Sequence, residues 1–62
     1  MFKVIDNITG DELTYKDSEE FRKVSKYSFD ESVHGVIDEL VDAYNAGQPT
    51  QGFESFLGIE IQ

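Results

Sequence analysis

The sequence predicts a small α+β domain in which an N-terminal β-hairpin packs on two helices and a short C-terminal strand completes the sheet (ββααβ). Three observations lead to this fold class: an alternating apolar segment at the start, an apolar stripe with helical spacing in the middle, and a second alternating segment at the end. A chain of 62 residues is long enough for one domain, 1–62. Its core must be thin, because a chain of this length buries only about 60% of its unfolded surface.

The first two strands are predicted to form a hairpin. Residues 2–6 (FKVID) alternate and are rich in β-forming side chains, and residues 12–15 (ELTY) repeat that pattern after the turn sequence Asn-Ile-Thr-Gly at 7–10. Because an isolated hairpin is only marginally stable, its apolar face must pack on another element. We expect that face to contain Phe2, Val4, Leu13 and Tyr15.

Residues 18–27 fit either a short helix or a third strand. Asp17 or Ser18 is a suitable N-cap, and Glu19 and Glu20 would lie favourably in the first turn. The helix has apolar side chains at intervals of three, at Phe21, Val24 and Tyr27. The strand alternative uses the alternating set Phe21, Lys23, Ser25, Tyr27 and Phe29. The helix propensity of Glu-Glu-Phe-Arg-Lys favours the helix.

The central stretch 28–47 is predicted to be one amphipathic helix. Ser28 and Glu31 have the spacing of a capping box, in which each side chain accepts a hydrogen bond from the other residue's amide. Gly47 is a suitable left-handed C-terminal residue, and Pro49 prevents continuation. The apolar stripe consists of Val33, Val36, Ile37, Leu40, Val41 and Tyr44.

The last segment is predicted to return to the hairpin. Residues 53–57 fit one helical turn that Gly58 ends. Ile-Glu-Ile at 59–61 then alternates, which favours a short edge strand beside the hairpin.

The charge of −8 is unevenly distributed along the chain. Residues 1–26 contain all five basic residues together with six acidic ones, whereas residues 27–62 contain seven acidic residues and no Lys or Arg. Direct binding to nucleic acid or to an anionic membrane requires basic patches, so this distribution argues against both. It favours a partner with a basic surface, although acidity that serves only solubility is the alternative.

The central helix carries the most one-sided carboxylates. At about 100° per residue, Glu31, Asp38 and Asp42 fall within about 40° of one another opposite the apolar stripe, and Glu39 lies roughly 60° further round. No Lys or Arg lies in this helix, so we expect its outer face to repel itself and Asp38 and Asp42 to point away from the core. The candidate partner-binding residues are Glu31, Asp38, Glu39, Asp42, Glu54 and Glu60, with Phe29 and Phe53 as aromatic anchors at element boundaries.

Nothing in the sequence is typical of an enzyme or of a cofactor site. The single histidine, His34, lies near the edge of the apolar stripe, and although Asp38 could orient it, no nucleophile motif accompanies it. The chain lacks a Gly-rich phosphate loop, a thiolate and the EF-hand spacing, so we expect no cofactor and no specific metal site. The absence of Cys, of a signal peptide and of a long apolar run favours the cytoplasm over a membrane.

In size, acidity and the opening MFKVIDNITG, the chain resembles small acidic proteins of bacteriophages and mobile elements of Gram-positive bacteria. Proteins of that kind often inhibit host enzymes that handle DNA. The string Glu-Ser-Phe-Leu at 54–57 is also similar to the Glu-Ser-aliphatic string on an edge strand of the phage-type inhibitor of uracil-DNA glycosylase. The resemblance implies a DNA mimic that acts in the host cell cytoplasm on a nuclease, repair or replication protein.

The leading hypothesis is therefore a non-catalytic acidic inhibitor that occupies a basic, nucleic-acid-binding surface of a host protein. The alternative is a small accessory domain that forms a homodimer through apolar surface near Phe29, Phe53 and Ile61, because a thin core gains stability from association.

Overall fold

The computed structural model describes residues 1–62 and contains three strands and three α-helices. The strands are β1 (Phe2–Asp6), β2 (Glu12–Tyr15) and β3 (Ile59–Ile61), and the helices are α1 (Ser18–Ser28), α2 (His34–Asn45) and α3 (Gln51–Leu57). A 3₁₀ turn, Glu31–Val33, precedes α2. The predicted α+β class, the hairpin and the C-terminal strand are confirmed.

The three strands form one antiparallel sheet in the order β2-β1-β3. Val4 of the central strand lies opposite Leu13 on one side and Ile61 on the other. Because side chains alternate along a strand, one face of the sheet carries the apolar residues and packs on the helices. The outer face carries Lys3, Ile5, Glu12, Thr14 and Glu60.

A single cluster of eight apolar side chains forms the core between the sheet and the helices. Its members are Phe2, Val4, Phe21, Ile37, Leu40, Val41, Leu57 and Ile59. Two residues predicted to be buried lie at its margin instead: Leu13 is 46% exposed and Tyr44 is 41% exposed. Leu13 lies on the outermost strand, and the Tyr44 ring makes an edge-on contact with Phe2 at 4.9 Å between centroids.

The helical interpretation of residues 18–27 is confirmed and the strand alternative is wrong. The Asp17 carboxylate accepts a hydrogen bond from the Glu20 amide at 2.9 Å, which satisfies one free N–H of the first turn. Phe21 and Ser25, one turn apart, are buried. The Ser25 hydroxyl donates to the Phe21 carbonyl, so this buried polar group is satisfied within the helix.

The predicted start of the central helix is wrong. Ser28 is the last residue of α1 rather than a cap, and the Phe29 amide still donates to the Ser25 carbonyl. Asp30 is the cap that the chain uses: its carboxylate accepts from the Ser32 amide at 3.0 Å and opens the 3₁₀ turn. Two competing caps two residues apart explain the error, since Asp is as good an N-cap as Ser.

Residues 46–61 follow the prediction closely. Gly47 (φ 73°) and Gly58 (φ 72°) adopt the left-handed conformation that glycine accommodates without strain, after α2 and α3 respectively. Helix α3 is longer than the single turn expected, since it begins at Gln51, and it packs against β3. No helix in the protein has the length and apolar character that crossing a bilayer requires.

Candidate functional site

The acidic residues of α2 fall into two groups, one on each flank of the helix. On the flank facing α1, Arg22 bridges two of them: its Nη1 lies 3.0 Å from Asp38 Oδ1 and its Nη2 lies 2.7 Å from Asp42 Oδ1. Lys26 Nζ lies 2.8 Å from the same oxygen of Asp38. The expectation of a self-repelling face is therefore wrong for Asp38 and Asp42, because the preceding helix supplies the cations.

This ion-pair network continues along the whole contact between α1 and α2. Arg22 Nε also lies 3.0 Å from Glu19, and the Asn45 amide group donates to Glu19 at 3.2 Å. At the far end, the Ser18 hydroxyl donates to Asn45 Oδ1 at 2.7 Å. The partners run in opposite directions along the two helices, so the network fixes α1 and α2 as an antiparallel pair.

The network also determines the ionisation of its members. Hydrogen bonds from Lys26 and Arg22 hold the pKa of Asp38 below its usual value. Hydrogen bonds to Glu19, Asp42 and Asp38 raise the pKa of Arg22, so its guanidinium stays charged throughout the range in which the protein is folded. Asp38 thus points away from the core, as expected, but it takes part in helix packing.

Glu54 also serves the fold. Its carboxylate accepts a hydrogen bond from the Ile61 amide at 2.8 Å and another from the Thr50 hydroxyl. The first of these bonds covers the free edge of β3. The string at 54–57 lies on helix α3 and not on an edge strand, so the local similarity to the glycosylase inhibitor does not extend to its structure.

Three of the predicted acidic residues have no ion pair and no side-chain hydrogen bond within the protein. Glu31 lies in the 3₁₀ turn, Glu39 lies on the α3 flank of α2, and Glu60 lies on the outer face of the sheet. Because the helices cover only the inner face, Glu60 and Glu39 lie on opposite sides of the molecule. The six predicted carboxylates therefore do not form one continuous surface.

Three of the eight predicted partner-binding residues do come together. Glu39, Asp42 and Phe53 line an open depression of about 470 Å³ between α2, the 46–50 connection and α3. Asp42 lies on the ridge between this depression and the ion-pair network, and its side chain is 70% exposed. The remaining walls are Ala43, Gln48 and Pro49, none of which the sequence predicts as a binding residue.

The aromatic residues are distributed differently from the prediction. Phe29 and Phe53 are half-buried and pack against the core, so neither projects as an anchor. The most exposed aromatic side chains are Tyr27 (84%) and Phe56 (67%). The sequence predicts Tyr27 on the apolar side of α1, but the buried face of that helix contains Ser18, Phe21 and Ser25 instead.

The chemistry available to the depression is that of a receptor for a cation. Glu39 and Asp42 supply carboxylate oxygens at the rim, while Phe53 and Pro49 supply an apolar wall. Lys and Arg side chains combine a charged head with an aliphatic stem and match both parts. His34 lies elsewhere, half-buried with its Nε2 3.3 Å from the Phe29 carbonyl. No three acidic, His or Cys side chains converge in a geometry that could hold a metal ion.

Comparisons with protein-family models, with curated proteins and with solved structures find no significant match to this chain. The functional conclusion therefore depends on the residues and geometry of the protein itself.

Proposed function

We propose that this protein is a non-catalytic binding protein that docks on a basic, nucleic-acid-binding surface of a DNA-handling protein and blocks it. The observation that carries the proposal is the depression between α2 and α3. There Glu39, which has no cation of its own, lies beside Asp42 and the Phe53 ring. Arg22 contacts Asp42 from the α1 side, but no Lys or Arg of the protein pairs with Glu39, and none occurs between residue 27 and the end of the sequence.

Docking begins with long-range attraction, because a net charge of −8 favours encounter with a basic surface. A Lys or Arg of the partner then enters the depression. Its stem packs on Phe53 and Pro49, and its head group meets Glu39. The ion-pair network gives this site a rigid base, since it fixes α2 against α1 before the partner arrives. A preorganised acidic site binds more tightly because little ordering is needed on binding.

The substitution Asp38→Lys with Asp42→Lys is a poor test, because it also breaks contacts to Arg22 and Lys26. Glu39→Lys is cleaner, since Glu39 makes no ion pair. Glu60→Lys is its matched control: it produces the same change in charge at an exposed glutamate with no ion pair, on the opposite face of the sheet.

Wild type and both variants are immobilised and exposed to a bacterial lysate at low and high salt, and bound proteins are identified by mass spectrometry. We expect wild type and Glu60→Lys to retain the same DNA-handling protein and Glu39→Lys to lose it. High salt should release it, because the Debye length falls from about 10 Å at 0.1 M to about 3 Å at 1 M. Added duplex DNA should also displace it, because DNA competes for the same basic site.

Equal loss in Glu39→Lys and Glu60→Lys would show that only net charge matters and would exclude the depression as the site. Retention that duplex DNA does not affect would contradict occupation of a nucleic-acid-binding surface. Circular dichroism of both variants confirms that each has kept its fold.

A further inference from the structure

The two outer edges of the sheet are treated differently by the rest of the fold. On β3, the Ile61 amide points away from β1 and is satisfied by the Glu54 carboxylate at 2.8 Å, and α3 packs beside the strand. On β2, no side chain of the protein reaches the strand's outer backbone groups until Lys16, whose amide donates to Glu20 at 2.7 Å. One edge is covered and the other is open.

The ladder register identifies which backbone groups of β2 are free. The Asp6 amide donates to the Asp11 carbonyl, so the hydrogen-bonded pairs of the hairpin are Asp6–Asp11 and, by alternation, Val4–Leu13 and Phe2–Tyr15. The N–H and C=O groups of Glu12 and Thr14 therefore point outward. An open strand edge of this kind is a template for pairing with another strand.

Apolar side chains accumulate beside this open edge. Leu13 is 46% exposed at the mouth of a groove of about 260 Å³ that lies between β2 and the end of α1 and is walled by Phe29. On α1, Val24 (41% exposed) lies on the flank turned away from α2, since Arg22 and Lys26 occupy the opposite flank, and Tyr27 (84% exposed) lies between that flank and the outward side of the helix. The edge of the sheet and the flank of the helix above it thus form one unpartnered surface.

We propose that this surface binds a second copy of the chain, with the two β2 strands pairing antiparallel about Thr14. In that register the outward groups of Thr14 bond to those of Thr14 in the second copy, as the alternation requires. Leu13 lies opposite Tyr15 of the second copy on the inner face. Lys16, the residue that directly follows β2, then comes close to Glu12 of the second copy at the end of the paired strands, and by symmetry this happens twice.

The segment 12–16, which is β2 and the residue after it, is therefore complementary to itself in both charge and apolarity. Lys16 has no ion pair in the monomer, and Glu12 has only a loose one, 3.6 Å from Lys3. Stable dimers bury roughly 800 Å² per partner, which a four-residue strand edge cannot supply alone. The adjoining flank of α1, with Val24 and Tyr27, provides further area. This surface differs from the one predicted near Phe29, Phe53 and Ile61, all of which pack against the core.

The dimer is independent of the proposed function, because the acidic depression lies at the α2–α3 end of the helical layer and β2 lies at the other end. A dimer would present two depressions without covering either. An experiment that refutes the dimer therefore does not refute the proposed function, and the reverse also holds.

The test is a charge exchange followed by sedimentation velocity from micromolar to millimolar concentration. Glu12→Lys places two lysines opposite each other, and Lys16→Glu places two glutamates opposite each other, so each variant alone should associate on the order of tenfold more weakly or worse. An equimolar mixture of the two variants should form a heterodimer, because every lysine then faces a glutamate. Glu60→Lys, two strands away, has the same change in charge as Glu12→Lys and should dimerise like wild type.

Wild type that stays monomeric at millimolar concentration would overturn the proposal. So would a dimer that neither single variant weakens, or a mixture that fails to restore association. Thermal melting followed by circular dichroism shows whether each variant is folded, and the mixture experiment keeps the proposal testable because rescue requires two folded chains.

Discussion

The two flanks of α2 contain the same kind of residue for different purposes. On the α1 flank, Asp38 shares Arg22 and Lys26 in a network of short contacts. On the α3 flank, Glu39, one residue further along, borders an open depression and meets no cation. The comparison shows that neighbouring carboxylates on one acidic helix can have different roles. The carboxylates that the neighbouring helix neutralises stabilise the fold, and those beyond its reach remain available to a partner.

The largest expected effect comes from removing the cation that unites the α1 flank. Arg22→Gln leaves Glu19, Asp38 and Asp42 close together without their common partner. We expect the free energy of unfolding to fall by about 1–2 kcal/mol, since partly exposed pairs contribute about 0.2–1 kcal/mol each. Urea denaturation measures this loss.

Lys23→Gln is the matched control for Arg22→Gln. It removes the same charge from the next residue of α1, which is exposed and makes no ion pair. A loss of stability as large as that of Arg22→Gln would mean that net charge, and not the network, is responsible.

The second effect concerns Glu54, the carboxylate of α3 that stabilises the fold through hydrogen bonds. Glu54→Ala removes the acceptor of the Ile61 amide and uncovers the edge of β3. We expect a loss of about 1 kcal/mol in urea denaturation, typical of a hydrogen bond to a charged group that is partly solvated. Glu54→Gln should lose less because its carbonyl oxygen still accepts one bond. Glu60→Ala changes a residue of the strand itself whose side chain makes no ion pair or hydrogen bond, so it should be close to neutral. A loss equal to that of Glu54→Ala would contradict the capping role.

The sequence predicted the helices and strands better than the side-chain contacts between them. Alternation and helical spacing depend on neighbouring residues, so the strands, the apolar stripe and the glycines that end α2 and α3 could be predicted. The network could not be predicted from α2 alone, since its cations lie 12 to 20 residues earlier in the chain. A signal was present: Glu19, Arg22 and Lys26 are spaced to share one side of α1, and Asp38 and Asp42 are one turn apart on α2. An antiparallel pair of helices brings two such stripes together.

The depression was predicted only in part, for the same reason. Glu39, Asp42 and Phe53 were singled out by residue type, but Gln48 and Pro49 join them only because the connection folds α3 back along α2. The prediction that Glu31 shares a face with Asp38 and Asp42 requires one continuous helix from Ser28. The Asp30 cap removes it from that face, because a 3₁₀ turn does not continue the α-helical spacing.

A third, smaller effect is the pH dependence of stability that the ion pairs on the α1 flank produce. The pKa of Asp38 lies below its ordinary value of 3.8 in the folded protein, because Lys26 and Arg22 stabilise its charged form. The ionised carboxylate therefore makes its full contribution to stability at any pH above the ordinary pKa, which is that of the unfolded chain. The contribution is lost as the pH falls below that value and through the lower pKa of the folded protein. The stability difference between wild type and Asp38→Asn should be constant near neutral pH and shrink from about pH 4 downward. A difference that stays constant down to about pH 2 would contradict the role of the ionised carboxylate.

The smallest effect on stability is also the sharpest test of the comparison. Glu39→Gln removes a carboxylate that has no cation, in a chain with a net charge of −8, so the free energy of unfolding should change by no more than about 0.5 kcal/mol. The direction should be toward greater stability, because one source of repulsion is lost. Partner binding in the lysate experiment should weaken in the same variant, whereas Asp38→Asn should reduce stability more than binding. If Glu39→Gln instead destabilised the protein as much as Asp38→Asn does, the carboxylates on both flanks of α2 would stabilise the fold equally. Glu39 would then not be a free carboxylate, and the argument for the depression as the binding site would fail.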